Sequence, residues 1–347
     1  MPHIRKADRK MTHKERQLAA IRRKDVDRIS RDVIAIENGA KIFGRPDYDY
    51  QELLRLMDTD GRVVFTPGYL GETRSGRDEW GAPSINDYGT SHAYPLSFVQ
   101  EAADLKKYTP PSPDDYDFTS SATLAKRYSA EYAVRGPYWK SLFCVQNGLF
   151  GMEDNLANML LEPGIFEASL NMVFEHTYRY CENYLNAVGD DLDILYLGDD
   201  FASQRGLLFD PALWRKYFRD KYRALFELGR KRGKLIWFHS CGDITSVLPD
   251  LIDIGVDVWE TVQLHTLPIS PETLKREYGK DLSFFGGVST QSLPFKTPEE
   301  VRTEAAYCVQ ALGPTGYILG PDHHIKPDVS AENTLALFHY AGPSQPA

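Results

Sequence analysis

The chain has 347 residues, with 40 Lys and Arg against 49 Asp and Glu for a formal net charge of -9, and 42% apolar and 26% charged residues. This is the make-up of a globular chain long enough to bury its core without disulfides, and the Cys residues at 144, 181, 241 and 308 form no disulfide framework, so a reducing cytoplasm is the expected location. No run of about 18 apolar residues is present to span a membrane, the polar stretch Met1 to Asp27 has no signal-like apolar core, and an acidic chain is a poor match to the phosphates of nucleic acid.

In chain order, Lys14 to Lys24 is basic and helix-forming, and Leu18 and Ile21 supply the residues that would pack a solvated lead-in helix. Val63–Thr66, ahead of Pro67 and Gly68, is the first candidate strand, and Tyr88–Leu96 supplies a second. Thr109 to Asp115 carries three prolines and excludes regular structure. Short β-branched or aromatic runs follow at Ser141–Gln146, Leu192–Leu197, Lys234–Phe238, Val256–Trp259, Leu282–Phe285 and Gly316–Leu319. Helices with readable ends separate them. Asp210-Pro211 opens one that Gly233 closes, and Thr297-Pro298-Glu299-Glu300 is a capping box for another that ends at Gly313. Eight strands alternating with helices predict a (β/α)8 barrel over 51–347, behind an N-terminal helical extension over 1–50. An open doubly wound sheet is the alternative, but no G-x-G-x-x-G follows any strand.

Barrel enzymes carry their chemistry just beyond the C-terminal ends of the strands. There the sequence places Asp199-Asp200 and Arg205, then His239-Ser240-Cys241, then Glu260, and finally Asp322-His323-His324. In an extended segment residues i and i+2 face the same way, so His239 and Cys241 direct an imidazole and a thiol to one point. That pair suits Zn²⁺, and Glu260 and His323 are candidates to complete the set and leave one exchangeable position. The alternatives are ordinary: Cys241 as a small core residue, His239 as a hydrogen-bonded core histidine and Glu260 as an exposed carboxylate. Asp199-Asp200 also reads as a capping or turn pair with Arg205 as its ion-pair partner, and His323 competes with His324.

The ordered set Gly198-Asp199-Asp200, Gln204-Arg205-Gly206, His239-Ser240-Cys241-Gly242, Phe284-Phe285-Gly286-Gly287-Val288, Gly320-Pro321-Asp322-His323 and Lys326-Pro327-Asp328-Val329 resembles the uroporphyrinogen decarboxylase superfamily over about residues 50–342. The resemblance implies a (β/α)8 barrel and one of two chemistries. The metal-free decarboxylases carry an Arg-rich N-terminal segment, which Glu72-Thr73-Arg74-Ser75-Gly76-Arg77 does not match. The zinc- and corrinoid-dependent methyltransferases carry an H-x-C pair, which His239 and Cys241 match, and a further ligand late in the chain. In the coenzyme M enzymes that late ligand is a Cys; here His323 stands there, which speaks against thiol methylation. Glu260 falls where zinc methyltransferases of the methionine synthase kind have a carboxylate. The resemblance thus implies a methyltransferase that takes a methyl group from a small methylated substrate, of which a methoxylated one is the expectation, with Zn²⁺ held by His239, Cys241, Glu260 and His323. Asp199 or Asp200 would orient substrate or move a proton, and Arg205 would fix their charge or bind a substrate carboxylate. No corrinoid-binding D-x-H-x-x-G is present, so the cobalamin would ride on a partner protein. A homodimer fits the same resemblance. A metal-free decarboxylase is the alternative, and a barrel that serves only as a metal-binding or assembly partner is a third.

Overall fold

The computed structural model describes residues 10–83 and 94–339. Eight strands form one parallel sheet: β1 Ser30–Arg31, β2 Gly61–Val63, β3 Ala133–Pro137, β4 Ile194–Gly198, β5 Leu235–His239, β6 Val258–Val262, β7 Ser283–Val288 and β8 Tyr317–Pro321. Their spatial order is β1-β8-β7-β6-β5-β4-β3-β2. The two ends meet at one backbone hydrogen bond, from Asp60 N to the Arg31 carbonyl at 2.8 Å, which makes the sheet a nearly closed (β/α)8 barrel. The central strands read as apolar runs because helices cover the outer face and side chains fill the inner one. Ile34, Ala133, Ile194, Val258, Phe285 and Ile318 pack together in the lower interior.

All five later strands match the expected runs to within three residues at either end. The early part of the barrel differs. The expected strand at 141–146 is occupied by a helix, Phe143–Phe150, and the strand is β3, one segment earlier. Its sequence Ala-Val-Arg-Gly-Pro hides it, since Arg, Gly and Pro all weaken a strand pattern. Of the expected strand at 88–96, residues 88–93 lie outside the described residues and 94–96 are not extended in a ladder. The barrel's first strand is β1, inside the segment assigned to a helical extension, so the boundary at residue 50 does not follow the sheet. The expected single helix from Pro211 breaks at the buried Phe218 into Pro211–Tyr217 and Arg219–Arg230.

The N-terminal helix His13–Ile21 starts at a capping box between Thr12 and Glu15. It is not a solvated lead-in. Ala20 and Ile21 join the lower interior cluster, and the Ile21 carbonyl accepts the hydroxyl of Ser283 at 2.8 Å, so the helix closes the barrel floor. Its basic face is largely neutralised: Arg16 is 2% exposed and pairs with Asp27 at 2.6 Å and Asp60 at 2.7 Å. Asp60 also binds Arg28 and His13, at 2.9 Å each.

Candidate metal centre

The strand register sets the site. Gly198 of β4, His239 of β5 and Glu260 of β6 lie side by side at the upper ends of adjacent strands. A side chain at position 198 would put its Cβ 2.9 Å from the His239 Cβ and 3.0 Å from the Trp139 ring, so only glycine allows this close approach. Trp139 stands edge-on to His239, with ring centroids 5.2 Å apart at 84°.

His239 is buried and held on one side. Its Nδ1 is 2.8 Å from Glu260 Oε1, and Glu260 also accepts hydrogen bonds from the Tyr196 hydroxyl and from Trp237 Nε1. All three donors converge on one fully buried carboxylate. Burial pushes the Glu260 carboxyl up, but the His239 bond and charge, the charge of Arg135 and the Tyr196 bond outweigh it, and the net direction is down. Arg135 lies beneath, its guanidinium 4.7 Å from the centroid of Trp237 and paired with Asp32. A carboxylate on Nδ1 fixes the tautomer and aims Nε2 into the mouth.

At Nε2 the neighbours are Cys241 Sγ at 3.4 Å and Asp200 Oδ1 at 3.7 Å. Burial lowers the His239 pKa, yet the Cys241 bond, the Glu260 bond and the charges of Cys241 and Asp200 carry it well above its ordinary value. These groups attract positive charge at Nε2, a demand met by a proton or by a divalent ion. Cys241 Sγ also receives the Thr261 hydroxyl at 3.6 Å, and the Cys241 backbone N–H donates to Asp200 at 2.8 Å. His323 comes in from β8, its ring 5.8 Å from that of His239 at 79°. Burial first, then the charges of His239 and His324, push its pKa down to about 4, which keeps the imidazole neutral as a metal ligand requires. One ligating atom each from His239, Cys241 and His323 lie within 4.8 Å of one another. One sulfur and two imidazole nitrogens from two separate strand ends fit zinc by chemical type.

The remaining candidates fall elsewhere. His324 turns away, with Nε2 3.2 Å from the Tyr138 hydroxyl and Nδ1 3.3 Å from Glu37. Glu260 stands behind His239 with its oxygens occupied, so its reading as a ligand gives way to that of a positioning residue. Asp199 is not in the mouth. It accepts the backbone N–H groups of Leu142 at 3.0 Å, Phe143 at 2.7 Å and Cys144 at 2.9 Å, and the Tyr222 hydroxyl at 2.6 Å. It therefore anchors the start of the helix Phe143–Phe150; burial raises its pKa against those four donors. Arg205 is exposed in the turn of a small hairpin and forms no ion pair with Asp199 or Asp200 among the described residues. Asp200 alone of these three faces the trio.

Sequence reasoning missed Tyr196, Trp237, Trp139 and Tyr138. The first two were within reach, since they precede Gly198 and His239 by two residues and so share their inward face. Tyr138 and Trp139 follow β3, whose strand pattern is concealed. Tyr138 has φ of +80°, an uncommon conformation for a bulky residue and the kind of strain that gathers at functional sites.

The model of the family described as uroporphyrinogen decarboxylase matches residues 99–342. None of the curated proteins matches the chain. Among solved structures, a methyltransferase from Methanosarcina mazei is similar with a TM-score of 0.65 at 17% identity, covering 94% of this chain and 97% of that one. The IOLI protein with a bound zinc atom aligns at a TM-score of 0.37 and 12% identity over 65% of this chain and 79% of its own. A Penicillium canescens endo-1,4-beta-xylanase aligns at 0.36 and 10% over 68% and 80%. These last two scores are too low to bear on fold or chemistry.

Proposed function

We propose that this chain, which belongs to the uroporphyrinogen decarboxylase family, is a zinc-dependent methyltransferase that moves a methyl group from a small methoxylated substrate to a corrinoid on a partner protein. The observation that carries the reading is the meeting of His239, Cys241 and His323 at one point above the barrel, with ligand chemistry that suits zinc. The methyltransferase structure that shares the fold supports it.

The chemistry that zinc supplies when bound in such a trio is Lewis acidity towards the heteroatom that gives up the methyl group, and the corrinoid supplies the acceptor. The chain's own residues do the rest. Glu260 holds the Nδ1 proton of His239 and so presents Nε2 as a lone-pair donor. The Thr261 hydroxyl, which donates to Cys241 Sγ, and the Asp200 carboxylate, which accepts the Cys241 N–H, fix the Cys241 loop. Trp139 covers one side of His239 and narrows the approach of water. Asp200, half-exposed at the rim and held by the Cys241 N–H, is placed to orient a substrate hydroxyl or to accept a proton. Among the described residues no helix is long and apolar enough to cross a membrane.

Elemental analysis of purified protein is expected to give one zinc per chain, lost in His239→Ala, Cys241→Ala and His323→Ala but kept in His324→Ala. Methyl transfer from methoxylated phenols to reduced cobalamin is expected of the same preparation. Protein that folds without zinc and converts uroporphyrinogen to coproporphyrinogen would overturn the proposal.

A further inference from the structure

The barrel wall has a gap that the metal centre does not use. Beyond the hydrogen bond from Asp60 to Arg31, β1 and β2 part. The helices Tyr50–Leu56 and Phe118–Tyr128 cover the gap from outside, and a cavity of about 340 Å³ remains between strands and helices. That is the low end of the range for small-molecule pockets, roughly 300–1,000 Å³.

The lining selects a class of occupant. Val33, Leu54, Val63 and Leu124 make apolar walls. Asp32 is the one charged residue in the lining, and its carboxylate is already bound by Arg135, by the Gln17 amide and by the Val33 N–H at 2.7 Å. The cavity therefore offers no free charge to an ionic ligand. It does offer polar groups with hydrogen-bonding capacity left over. Gln51 Oε1 is buried with no hydrogen bond among the described residues. Ser121 is 2% exposed, and its hydroxyl has no hydrogen-bond partner among the described residues. The Tyr50 hydroxyl accepts the Ile36 N–H at 3.1 Å and keeps its own proton to donate. Buried polar groups are normally satisfied, so the unpartnered Gln51 acceptor, with two hydroxyls beside it that can still donate, marks the place of a ligand's polar atoms in this apolar chamber.

We infer that the cavity at the β1–β2 seam binds a small uncharged ring compound bearing a hydroxyl, a phenol. The ring fills the apolar slot, a ligand hydroxyl donates to Gln51 Oε1, and the ligand oxygen accepts from Ser121 or Tyr50. Phe65, in the lining, meets Tyr138 edge-on at 5.3 Å and 86°, and these two rings stand between the chamber and the mouth. The inference is independent of methyl transfer, because the binding it claims needs neither zinc nor corrinoid.

Calorimetric titration of the full chain with phenol and with 2-methoxyphenol tests it, with benzoate as the charged control. Saturable binding of both neutral compounds is expected at a site that persists in His239→Ala, with no saturation by benzoate. Affinity should fall at least tenfold in Gln51→Met, which removes the acceptor at similar volume, and in Leu124→Trp, which fills the chamber from a half-exposed position. Circular dichroism checks that both variants fold, and Gln51→Met carries the test alone if Leu124→Trp does not. The affinity should be unchanged in His239→Ala. Absence of saturation by the neutral compounds, equal binding of benzoate, undiminished binding in Gln51→Met, or binding lost in His239→Ala would each overturn the inference.

Discussion

Glu260→Gln tests the central arrangement because it alters charge and hydrogen bonding without altering shape. The Glu260 carboxylate accepts from three donors, Tyr196, His239 and Trp237. A glutamine has one acceptor oxygen and a donating amide. With its oxygen towards Tyr196 and His239, its amide faces the Trp237 N–H, donor against donor. Leaving a buried donor unsatisfied costs roughly 1–3 kcal/mol, which denaturant unfolding of the variant reads directly. The neutral partner also makes His239 Nε2 a poorer electron donor. Loss of such an outer carboxylate weakens metal binding by about 10–100-fold, or about 1.4–2.7 kcal/mol. Zinc competition against a chromophoric chelator measures that loss. Adding Trp237→Phe removes the donor conflict and is expected to recover stability but not zinc affinity. Zinc affinity equal to that of the parent in Glu260→Gln would refute the positioning role, and recovery of both properties in the double variant would show that the effect was steric.

Asp199→Ala is expected to cost about 3 kcal/mol in urea unfolding, because it strips the helix start at Phe143 of its anchor and strands three backbone N–H groups and the Tyr222 hydroxyl; zinc content should be unchanged. Gly198→Ala drives a Cβ into His239 and Trp139 and should lower both stability, by about 1–3 kcal/mol, and zinc affinity. His176 is buried with both ring nitrogens unpaired among the described residues, and burial, with the charge of Lys140, lowers its pKa from 6.5 to about 3. The unfolded chain therefore binds the extra proton first, so the stability contributed by this group is present above about pH 6.5 and is lost as the pH falls towards 3. The loss between pH 7 and pH 5 is about 2 kcal/mol, and His176→Phe should flatten that part of the urea midpoint profile against pH.

Much of the barrel was readable because its central strands obey simple patterns. From β4 to β8 the runs are mostly apolar, β6 with its Glu260 and Thr261 excepted, and each is followed by a polar residue at the rim. The His239-x-Cys241 spacing needed only the period of an extended chain to be placed in the mouth. What escaped had a physical reason. Ser30–Arg31 is two residues long and polar, and only its pairing with Ile318 and Leu319 makes it a strand. β3 holds Arg135, which a sequence pattern places outside but which sits fully buried because Asp32 and the ring of Trp237 receive it. Asp199 and Asp200 are neighbours in sequence with opposite directions, one into a helix start and one towards the rim, and side-chain direction at a strand end cannot be told from residue type. Glu260, expected just beyond a strand end, lies inside β6. Its role behind the imidazole depends on Tyr196 and Trp237, whose donors no spacing rule brings to a carboxylate.

The floor helix also shapes how the molecule must assemble. Residues 13–21 leave the ribosome well before β7 and β8, yet the carbonyl of Ile21 waits for Ser283, and β1 waits for β8, partners separated from them by more than two hundred and fifty positions. Until those late strands are made, Ala20 and Ile21 have no barrel interior to enter and the edge of β1 is open. Such distant closure is slow and exposes sticky surface meanwhile. Nascent chains halted before residue 317 should therefore depend on holding chaperones, and release from them should coincide with synthesis of the final strand.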